Sequence, residues 1–283
     1  MIKNNNLIFD VGMHKGEDTL FYLKKGFNVV AFEANPELVS FCKKIFYKEI
    51  EEGKLIIVEG AIVDHKNDSN PNESIIKFYV NEKLSVWGTV DESWMKRNIK
   101  RGKDIKIIEV NKVNFNEALK KYGIPYYLKI DIEGMDRVCL NALLDFDQKP
   151  SYLSIESEKV SFNELKNEMD LLLKNRYSQF KIVNQENVAF QKEPKNSIEG
   201  KFIDYKFESG STGLFGNDLP YNWLSYYRAI FRYILIFLGY KLLGDYGLIS
   251  NRIFIKKLVL KFIKLFTKQP VPGWYDTHAK LNE

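Results

Sequence analysis

Short apolar runs alternate with longer stretches of helical periodicity from Leu7 to about Gln191. The runs are rich in β-branched and aromatic residues, and the stretches between them carry apolar residues at helical spacing. This alternation is typical of β-α units around a mostly parallel sheet with helices on both faces. It predicts strands at Leu7–Val11, Val29–Glu33, Leu55–Glu59, Ile105–Val110, Tyr127–Ile132, Tyr152–Glu156 and Phe180–Val183, an inserted hairpin or edge strand at Ile75–Val80, and helices at Glu17–Lys25, Asn116–Tyr122, Val138–Leu144, Phe162–Lys174 and from Pro36 toward Ile50.

The alternation stops after about Lys192, which predicts an α/β domain over residues 1–195 and a helical C-terminal extension over 196–283. A wheel of 253–268 places five lysines on one side of a helix and a set of apolar residues on the other. Two interpretations stay open for 226–268: docking on the domain or on a second subunit in a homodimer, and peripheral contact with an anionic membrane. The lysines are Lys256, Lys257, Lys261, Lys264 and Lys268, and the apolar residues are Phe254, Ile255, Leu258, Val259, Phe262, Leu265 and Phe266.

Composition limits the environment and the partners of this chain. A hydrophobic content of 45% in 283 residues suffices for one sizeable core. The net charge of +5 does not call for a nucleic-acid partner. The N-terminus lacks the features of a signal peptide, and the longest apolar run, at 233–243, is too short for a membrane span. With only Cys42 and Cys139, both in apolar stretches, we expect a cytoplasmic protein, with the inner face of the membrane as the peripheral alternative.

A glycine-bearing turn connects the first strand to the first helix, and it predicts a site for a nucleoside cofactor. Asp10, Gly12 and Gly16 lie in this turn, where glycines let the backbone approach a ligand closely. The spacing differs from the three-glycine fingerprint that holds a pyrophosphate, and no third glycine follows. An acid at this point suits a cationic amino-acid ligand, so the turn favours S-adenosylmethionine over NAD.

Two further segments support a nucleoside site at the same edge of the sheet. Glu33 ends the second strand about twenty residues after the turn, where an acid can accept hydrogen bonds from ribose hydroxyls. Ala61 and Ile62 follow the third strand, where they would either contact an adenine ring or belong to the core. The turn and the acid together predict the site more strongly than either does alone.

A second group of carboxylates lies at the end of a strand in the middle of the predicted sheet. Asp131 and Glu133 occupy alternate positions there and should face the same cleft as Gly12 and Glu33. Burying both without partners would be costly, so a purely structural role requires a cation such as Lys129. The pair therefore predicts functional residues.

These segments resemble the FkbM family of methyltransferases, which are class I, Rossmann-like enzymes that use S-adenosylmethionine and mostly O-methylate sugars and natural products. The resemblance covers about residues 7–160, and KIDIEG at 129–134 is its most specific part. Residues 208–220 and 274–278 also look like the tail of glycan-associated members. The matching segments are FDVGMHKGEDT at 9–19, VAFEANP at 30–36, VEGA at 58–61 and YLKIDIEG at 127–134.

The resemblance implies a role for each candidate residue. The acceptor would be a hydroxyl of a sugar or glycan, such as a cell-surface or lipid-linked saccharide, and S-adenosylhomocysteine would be the product. The candidate catalytic bases are Asp131, Glu133 and His14, in that order. Asp10, Gly12 and Gly16 would hold the methionine part of the cofactor, Glu33 its ribose, and Ala61 and Ile62 its adenine, with Asp131 near the sulfonium.

Several alternatives remain open from the sequence. A divalent metal at the carboxylates is compatible with the chemistry, but no His/Cys cluster marks one. Trp87 and Trp94 would form either an acceptor wall or a lid packed on its own core. The competing functions are a nicotinamide-dependent oxidoreductase and a cofactor-binding protein of the same fold without turnover. The missing three-glycine fingerprint opposes the first, and the intact acidic and glycine positions oppose the second.

Overall fold

The computed structural model describes residues 3–67, 70, 72–81, 88–90, 105–132, 134–208, 210–243 and 273–282. Among these residues, twelve strands form one sheet of eight strands and a second sheet of four. The strands are β1 Lys3–Val11, β2 Asn28–Glu33, β3 Leu55–Glu59, β4 Ala61–Ile62, β5 Ile75–Asn81, β6 Gly88–Thr89, β7 Ile105–Val113, β8 Ile124–Ile130, β9 Tyr152–Glu156, β10 Tyr177–Asn184, β11 Leu224–Ser225 and β12 Tyr275–Leu281.

The described helices begin at residues that cap their first turns. Asn35 caps the start of α2, because its side chain accepts a hydrogen bond from the Glu37 amide at 3.0 Å. Asn114 and Ser161 start two later helices in the same way. The helices are α1 Glu17–Lys24, α2 Pro36–Ile45, α3 Tyr47–Glu51, α4 Phe115–Tyr122, α5 Asp136–Leu143, α6 Phe162–Lys174 and α7 Tyr226–Leu243, with a 3₁₀ helix at Gln185–Phe190.

The large sheet has the order β3-β2-β1-β8-β9-β12-β10-β11, and the strands from β3 to β9 in this order are parallel. The predicted α/β class is therefore confirmed. Strands β1 and β8 are neighbours, although more than a hundred residues separate them in sequence. The chain order reverses between them, and ligands bind at the carboxyl ends of strands at such a point.

The last strand, β12, lies inside the large sheet and runs antiparallel to both of its neighbours, β9 and β10. The segment 196–283, which the sequence assigns to an extension, thus contributes a central strand to the α/β domain. The sheet consequently draws strands from both sides of the predicted boundary at residue 195.

The small sheet, of order β4-β7-β5-β6, contains the strand that the sequence predicts as an inserted hairpin. Strand β5 pairs antiparallel with β7 along its whole length, from Ile75 opposite Asn111 to Asn81 opposite Ile105. The two residues of β4 pair with Lys112 and Val113 of β7. This sheet therefore places Ala61 and Ile62 next to the carboxyl edge of β2.

Each face of the large sheet has its own apolar core. Helices α4 to α7 cover one face, which receives Phe9 and Val11 of β1. Helices α1 and α2 cover the other face together with the segment 203–223, whose Phe215 stacks on Tyr127 at 4.3 Å between ring centroids. The described residues of 191–223 form no helix or strand. An irregular segment thus occupies a face where helices are expected.

Candidate cofactor site

The turn between β1 and α1 requires glycine at two positions. Gly12 has a φ of +87°, and a Cβ atom built on it would lie 1.9 Å from the carbonyl oxygen of Asp131. Gly16 has a φ of +84°, and its Cβ would lie 2.4 Å from the ring of Phe46. Any larger residue would therefore clash as well as strain the backbone, so the two glycines fix the turn against β8 and α2.

A cleft opens above this turn at the carboxyl ends of β1, β2 and β8. Its empty volume, including the part open to solvent, is about 1020 Å³. The lining residues named by the sequence prediction are Gly12, His14, Glu33, Ala61, Ile62 and Asp131.

Glu33 lies at the wall of the cleft and is held by two backbone amides. Its Oε1 accepts a hydrogen bond from the amide of Asn35 and its Oε2 from the amide of His14, both at 2.8 Å. Burial raises the pKa of Glu33, and the two amide hydrogen bonds oppose this shift. Each carboxylate oxygen can accept a second hydrogen bond, so the ribose role stays a prediction that the geometry permits.

Asp10 occupies a different place from the one that the sequence suggests. It is fully buried and is not among the described residues that line the cleft. Its Oδ2 accepts a hydrogen bond from the Thr19 hydroxyl at 2.6 Å, and its Oδ1 lies 3.1 Å from Lys129 Nζ. Asp10 points to the face that α1 covers, because side chains alternate along β1. It thus supports the turn from below, where the sequence predicts a direct contact with the cofactor.

Lys129 connects this buried carboxylate to the cleft. Its Nζ donates to the carbonyl oxygen of Gly12 at 2.6 Å. Burial lowers the pKa of Lys129, but the charges of Asp10, Asp131 and Asp18 together hold that pKa above its ordinary value. The side chain is therefore a fixed positive charge in the floor of the cleft, and its ion-pair partner is Asp10.

Asp131 lies at the mouth of the cleft, directly after β8. Its amide donates to the carbonyl oxygen of Val11 at 2.9 Å, so the backbone there is fixed. The side chain is exposed, and its carboxylate makes no hydrogen bond or ion pair with the described residues. The other predicted members of this region, Glu133, Trp87 and Trp94, lie outside the described residues.

His14, the third candidate base, lies in the turn with a φ of +51°. Its Nδ1 is 3.0 Å from Glu17 Oε1. Burial raises the pKa of Glu17, but the hydrogen bond to His14 and the charges of His14 and Lys129 lower it overall. The imidazole is thus oriented by a carboxylate beside the cleft, and its catalytic role stays a prediction.

The wall opposite the glycine turn is apolar. Ala61 and Ile62 are buried and line the cleft together with Phe78 and Val80 of β5. An apolar wall of this kind suits an adenine ring, which is the predicted partner of Ala61 and Ile62. The sequence does not point to these two β5 residues, because they reach the cleft through the pairing of β5 with β7 and no local pattern predicts that pairing.

Asp18 is a further residue of the cleft that the sequence prediction missed. Both of its carboxylate oxygens lie 3.0 Å from the amide of Thr212, in the irregular segment on this face of the sheet. Burial and the charge of Asp10 raise the pKa of Asp18 to about 7, against the opposing charge of Lys129. The sequence feature that could have indicated Asp18 is its place as an acid in the first turn of α1, close to the apolar residues Phe21 and Tyr22.

The described part of the chain contains no group of three or more His, Cys, Asp or Glu side chains that could hold a metal ion. Within the described ranges, no helix combines the length and the apolar character that crossing a membrane requires.

The strand order with an antiparallel β12 and the glycine turn below the cleft are features of Rossmann-like methyltransferases that use S-adenosylmethionine. The model of the methyltransferase FkbM domain matches residues 10–180 of the chain. This match covers more than half of the 283 residues, and the chain belongs to the FkbM methyltransferase family. The predicted resemblance and the predicted cofactor class are therefore confirmed.

Solved structures with similar folds share little sequence with this chain. The methyltransferase FkbM from Methylobacillus flagellatus KT has 13% identity and a TM-score of 0.41, over 65% of this chain and 41% of that one. A SAM-dependent methyltransferase from Archaeoglobus fulgidus has 12% identity and a TM-score of 0.38, over 98% and 87%. Precorrin-6y C5,15-methyltransferase from Geobacter metallireducens GS-15 has 12% identity and a TM-score of 0.37, over 72% and 77%. No curated protein matches the chain.

Proposed function

We propose that this methyltransferase transfers the methyl group of S-adenosylmethionine to a hydroxyl oxygen of a sugar or glycan, such as a cell-surface or lipid-linked saccharide. The observation that carries the proposal is the Asp131 carboxylate, which faces the cleft without a partner among the described residues. A weakly acidic hydroxyl needs a base of this kind at the moment of transfer. The choice of a sugar follows from the family resemblance.

The described residues fit the cofactor in shape and in charge. The backbone at Gly12 would let the methionine part approach, and Gly16 would hold the turn in place. Glu33 would accept the ribose hydroxyls, and Ala61 with Ile62 would contact the adenine. Carboxylates outnumber the cations around the cleft, which suits a ligand that carries an ammonium and a sulfonium group. When bound, the cofactor supplies an activated methyl group.

The residues of this chain then have two tasks. The first is alignment, because an in-line displacement needs the acceptor oxygen held in one direction from the methyl carbon. The second is removal of the hydroxyl proton, which Asp131 can accept if the hydroxyl lies within hydrogen-bond reach of its carboxylate.

Transfer of labelled methyl from S-adenosylmethionine into fractionated cell-surface glycans and lipid-linked precursors tests the proposal. We expect Asp131→Asn to lower kcat by about 10²- to 10⁴-fold, the usual contribution of a general base. The dissociation constant of S-adenosylhomocysteine should change by less than about threefold, because the backbone of the turn stays in place. Asp147→Asn, at an exposed position after α5, is the matched control and should keep the wild-type rate.

Two results would contradict this assignment. A wild-type rate for Asp131→Asn would remove Asp131 from the mechanism. Methyl transfer into a protein or nucleic-acid fraction, with none into saccharide, would remove the sugar acceptor. Calorimetric titrations with S-adenosylhomocysteine and with NAD test which cofactor binds, independently of methyl transfer. Heat from NAD alone would favour the oxidoreductase.

A further inference from the structure

Helix α7 presents an apolar stripe to solvent. Tyr227, Phe231, Ile234 and Leu238 are exposed by 82%, 61%, 45% and 46%. Their spacing of four, three and four residues places them on one side of the helix. Scattered apolar side chains are normal on a surface, but a continuous row along one helix marks an interaction surface. We call these four residues the α7 stripe.

The opposite side of α7 fixes the direction in which this stripe points. Ala229, Tyr233 and Ile236 are buried in the core between the helix and the large sheet. The Tyr233 hydroxyl lies 2.6 Å from both Ser157 Oγ and Thr277 Oγ1. These contacts prevent the helix from rotating to bury the α7 stripe.

The same contacts show which edge of the sheet α7 approaches. The helix starts directly after β11, which pairs with the middle of β10. It passes Ser157, the residue after β9, and the Tyr240 hydroxyl donates to the carbonyl oxygen of Gly273, just before β12 begins. Strand β12 begins where β9 and β10 end. The end of α7 therefore lies at the carboxyl edge of the sheet, the edge at which the cofactor cleft opens.

The charge of the chain is concentrated in and after this helix. Residues 226–268 contain nine Lys and Arg and one Asp, a net charge of +8, whereas the other 240 residues have 33 basic and 36 acidic residues, a net charge of −3. Arg228 and Lys241 are exposed on α7 next to the stripe. The residues that follow the helix, 244–268, carry six more basic residues and one acid. An apolar row with this charge calls for an occupant that is both apolar and anionic.

We propose that the α7 stripe docks on the surface of an anionic membrane. Apolar side chains on an amphipathic helix enter the boundary between headgroups and acyl chains, while flanking Lys and Arg bind anionic headgroups. A second copy of this chain would bring two segments of like charge together, and so would residues 244–268 packed on α7. The membrane is the occupant that lowers the electrostatic energy as well as covering the apolar row.

Docking would hold the carboxyl edge of the sheet, where the cleft opens, close to the membrane, because the end of α7 lies at that edge. An acceptor with a lipid anchor would then reach the cleft without leaving the bilayer. This consequence for the acceptor rests on the proposed function, whereas the docking itself does not.

Sedimentation with lipid vesicles tests the docking. We expect the full chain to pellet with vesicles of phosphatidylglycerol and phosphatidylcholine in equal parts, to bind vesicles of phosphatidylcholine far more weakly, and to dissociate as salt is added. The double variant Phe231→Ser with Ile234→Ser should lower the partition coefficient by at least about tenfold, because two apolar side chains no longer enter the bilayer. Phe190→Ser removes a side chain that is 80% exposed on the 3₁₀ helix and should bind like the wild type.

Each alternative occupant predicts a different result, and each would overturn the proposal. If a second copy covers the stripe, the wild type sediments as a dimer and does not bind vesicles, and the double variant has a lower mass in sedimentation equilibrium. If residues 244–268 cover it, the variant loses stability and the wild type again ignores vesicles. Equal vesicle binding by wild type and double variant would also refute the docking. Titration with S-adenosylhomocysteine checks the fold of each variant, and failed methyl transfer with intact vesicle binding would refute only the proposed acceptor.

Discussion

Two buried lysines, Lys25 and Lys129, lie on the same face of the large sheet and each is paired with carboxylates. Both side chains are almost inaccessible to solvent, with exposures of 1% and 5%. Their surroundings differ in one respect. The network around Lys25 is closed by protein atoms on all sides, whereas the network around Lys129 forms the floor of a cleft.

Lys25 connects α1 to the irregular segment 191–223. Its ammonium contacts Glu193, Ser197 and Asp218, all in that segment. Both carboxylates also accept hydrogen bonds from backbone amides. Asp218 accepts from the Ile198 amide and Glu193 from the Ile203 amide, each at 2.7 Å. The carboxylates around this lysine are thus satisfied within the protein, and its role is to hold the segment on the sheet.

The Lys129 ammonium binds protein groups and also borders the cleft. On its buried side, the ammonium forms an ion pair with Asp10 and donates a hydrogen bond to the Gly12 carbonyl oxygen. Asp131 stands at the mouth of the same cleft, and its carboxylate has no partner of its own among the described residues. Burial of a lysine among carboxylates is therefore not a sign of function in itself. We expect a functional role for the lysine that lies next to a carboxylate still available to a ligand.

Lys129→Met should have the largest effect, because it acts on stability and on binding together. Removing one partner of a buried ion pair costs about 3–5 kcal/mol of unfolding free energy, since Asp10 is left uncompensated. The Gly12 carbonyl also loses its donor, so we expect the dissociation constant of S-adenosylhomocysteine to rise at least about tenfold. Urea unfolding and calorimetry at a temperature where the variant is folded measure the two effects.

Lys25→Met is the matched variant at the closed network. The same principle gives a similar loss of about 3–5 kcal/mol, because Glu193 and Asp218 remain buried. Affinity for S-adenosylhomocysteine should change by less than about threefold, since Lys25 does not line the cleft. A loss of affinity as large as that of Lys129→Met would end the distinction between the two networks.

The fold was predictable where the signal is local. The apolar runs of β2, β3 and β9 and the first residues of α2 and α6 lie within one or two residues of their predicted positions. The place of β12 was not predictable in this way. Its sequence, YDTHAKL, is mostly polar, and it forms a strand because β9 and β10 leave a gap that only a distant segment of the chain fills.

The site was predictable to the level of the turn and not to the level of its charge network. The spacing of Gly12, Gly16 and Glu33 predicts a cofactor site at the carboxyl edge of the sheet, and Gly12 and Glu33 line a cleft there. It could not show that Asp10 faces inward, because this depends on α1 covering that face. Nor could it show that Asp18 meets Thr212, since 194 residues separate the two in sequence.

Asp18 separates the two networks through the pH dependence of stability. Burial raises the pKa of Asp18 from its ordinary value of 3.8 to about 7 in the folded protein. Between pH 4 and pH 7 the folded state therefore keeps a proton that the unfolded state has lost. Stability should fall with rising pH across this window, by up to about 1.4 kcal/mol per pH unit, and should stay level above it.

Asp18→Asn isolates this contribution, because the amide does not titrate. The unfolding free energy of the variant minus that of the wild type should rise between pH 4 and pH 7 and then become constant. Asp136, whose pKa burial also raises to about 7, is present in both proteins and cancels from the difference. Asp204→Asn, at an exposed position in the same irregular segment as Thr212, should give a flat difference. A flat difference for Asp18→Asn as well would mean that this carboxyl is already ionised between pH 4 and pH 7. The Lys129 network would then carry one more negative charge in that range than the raised pKa implies.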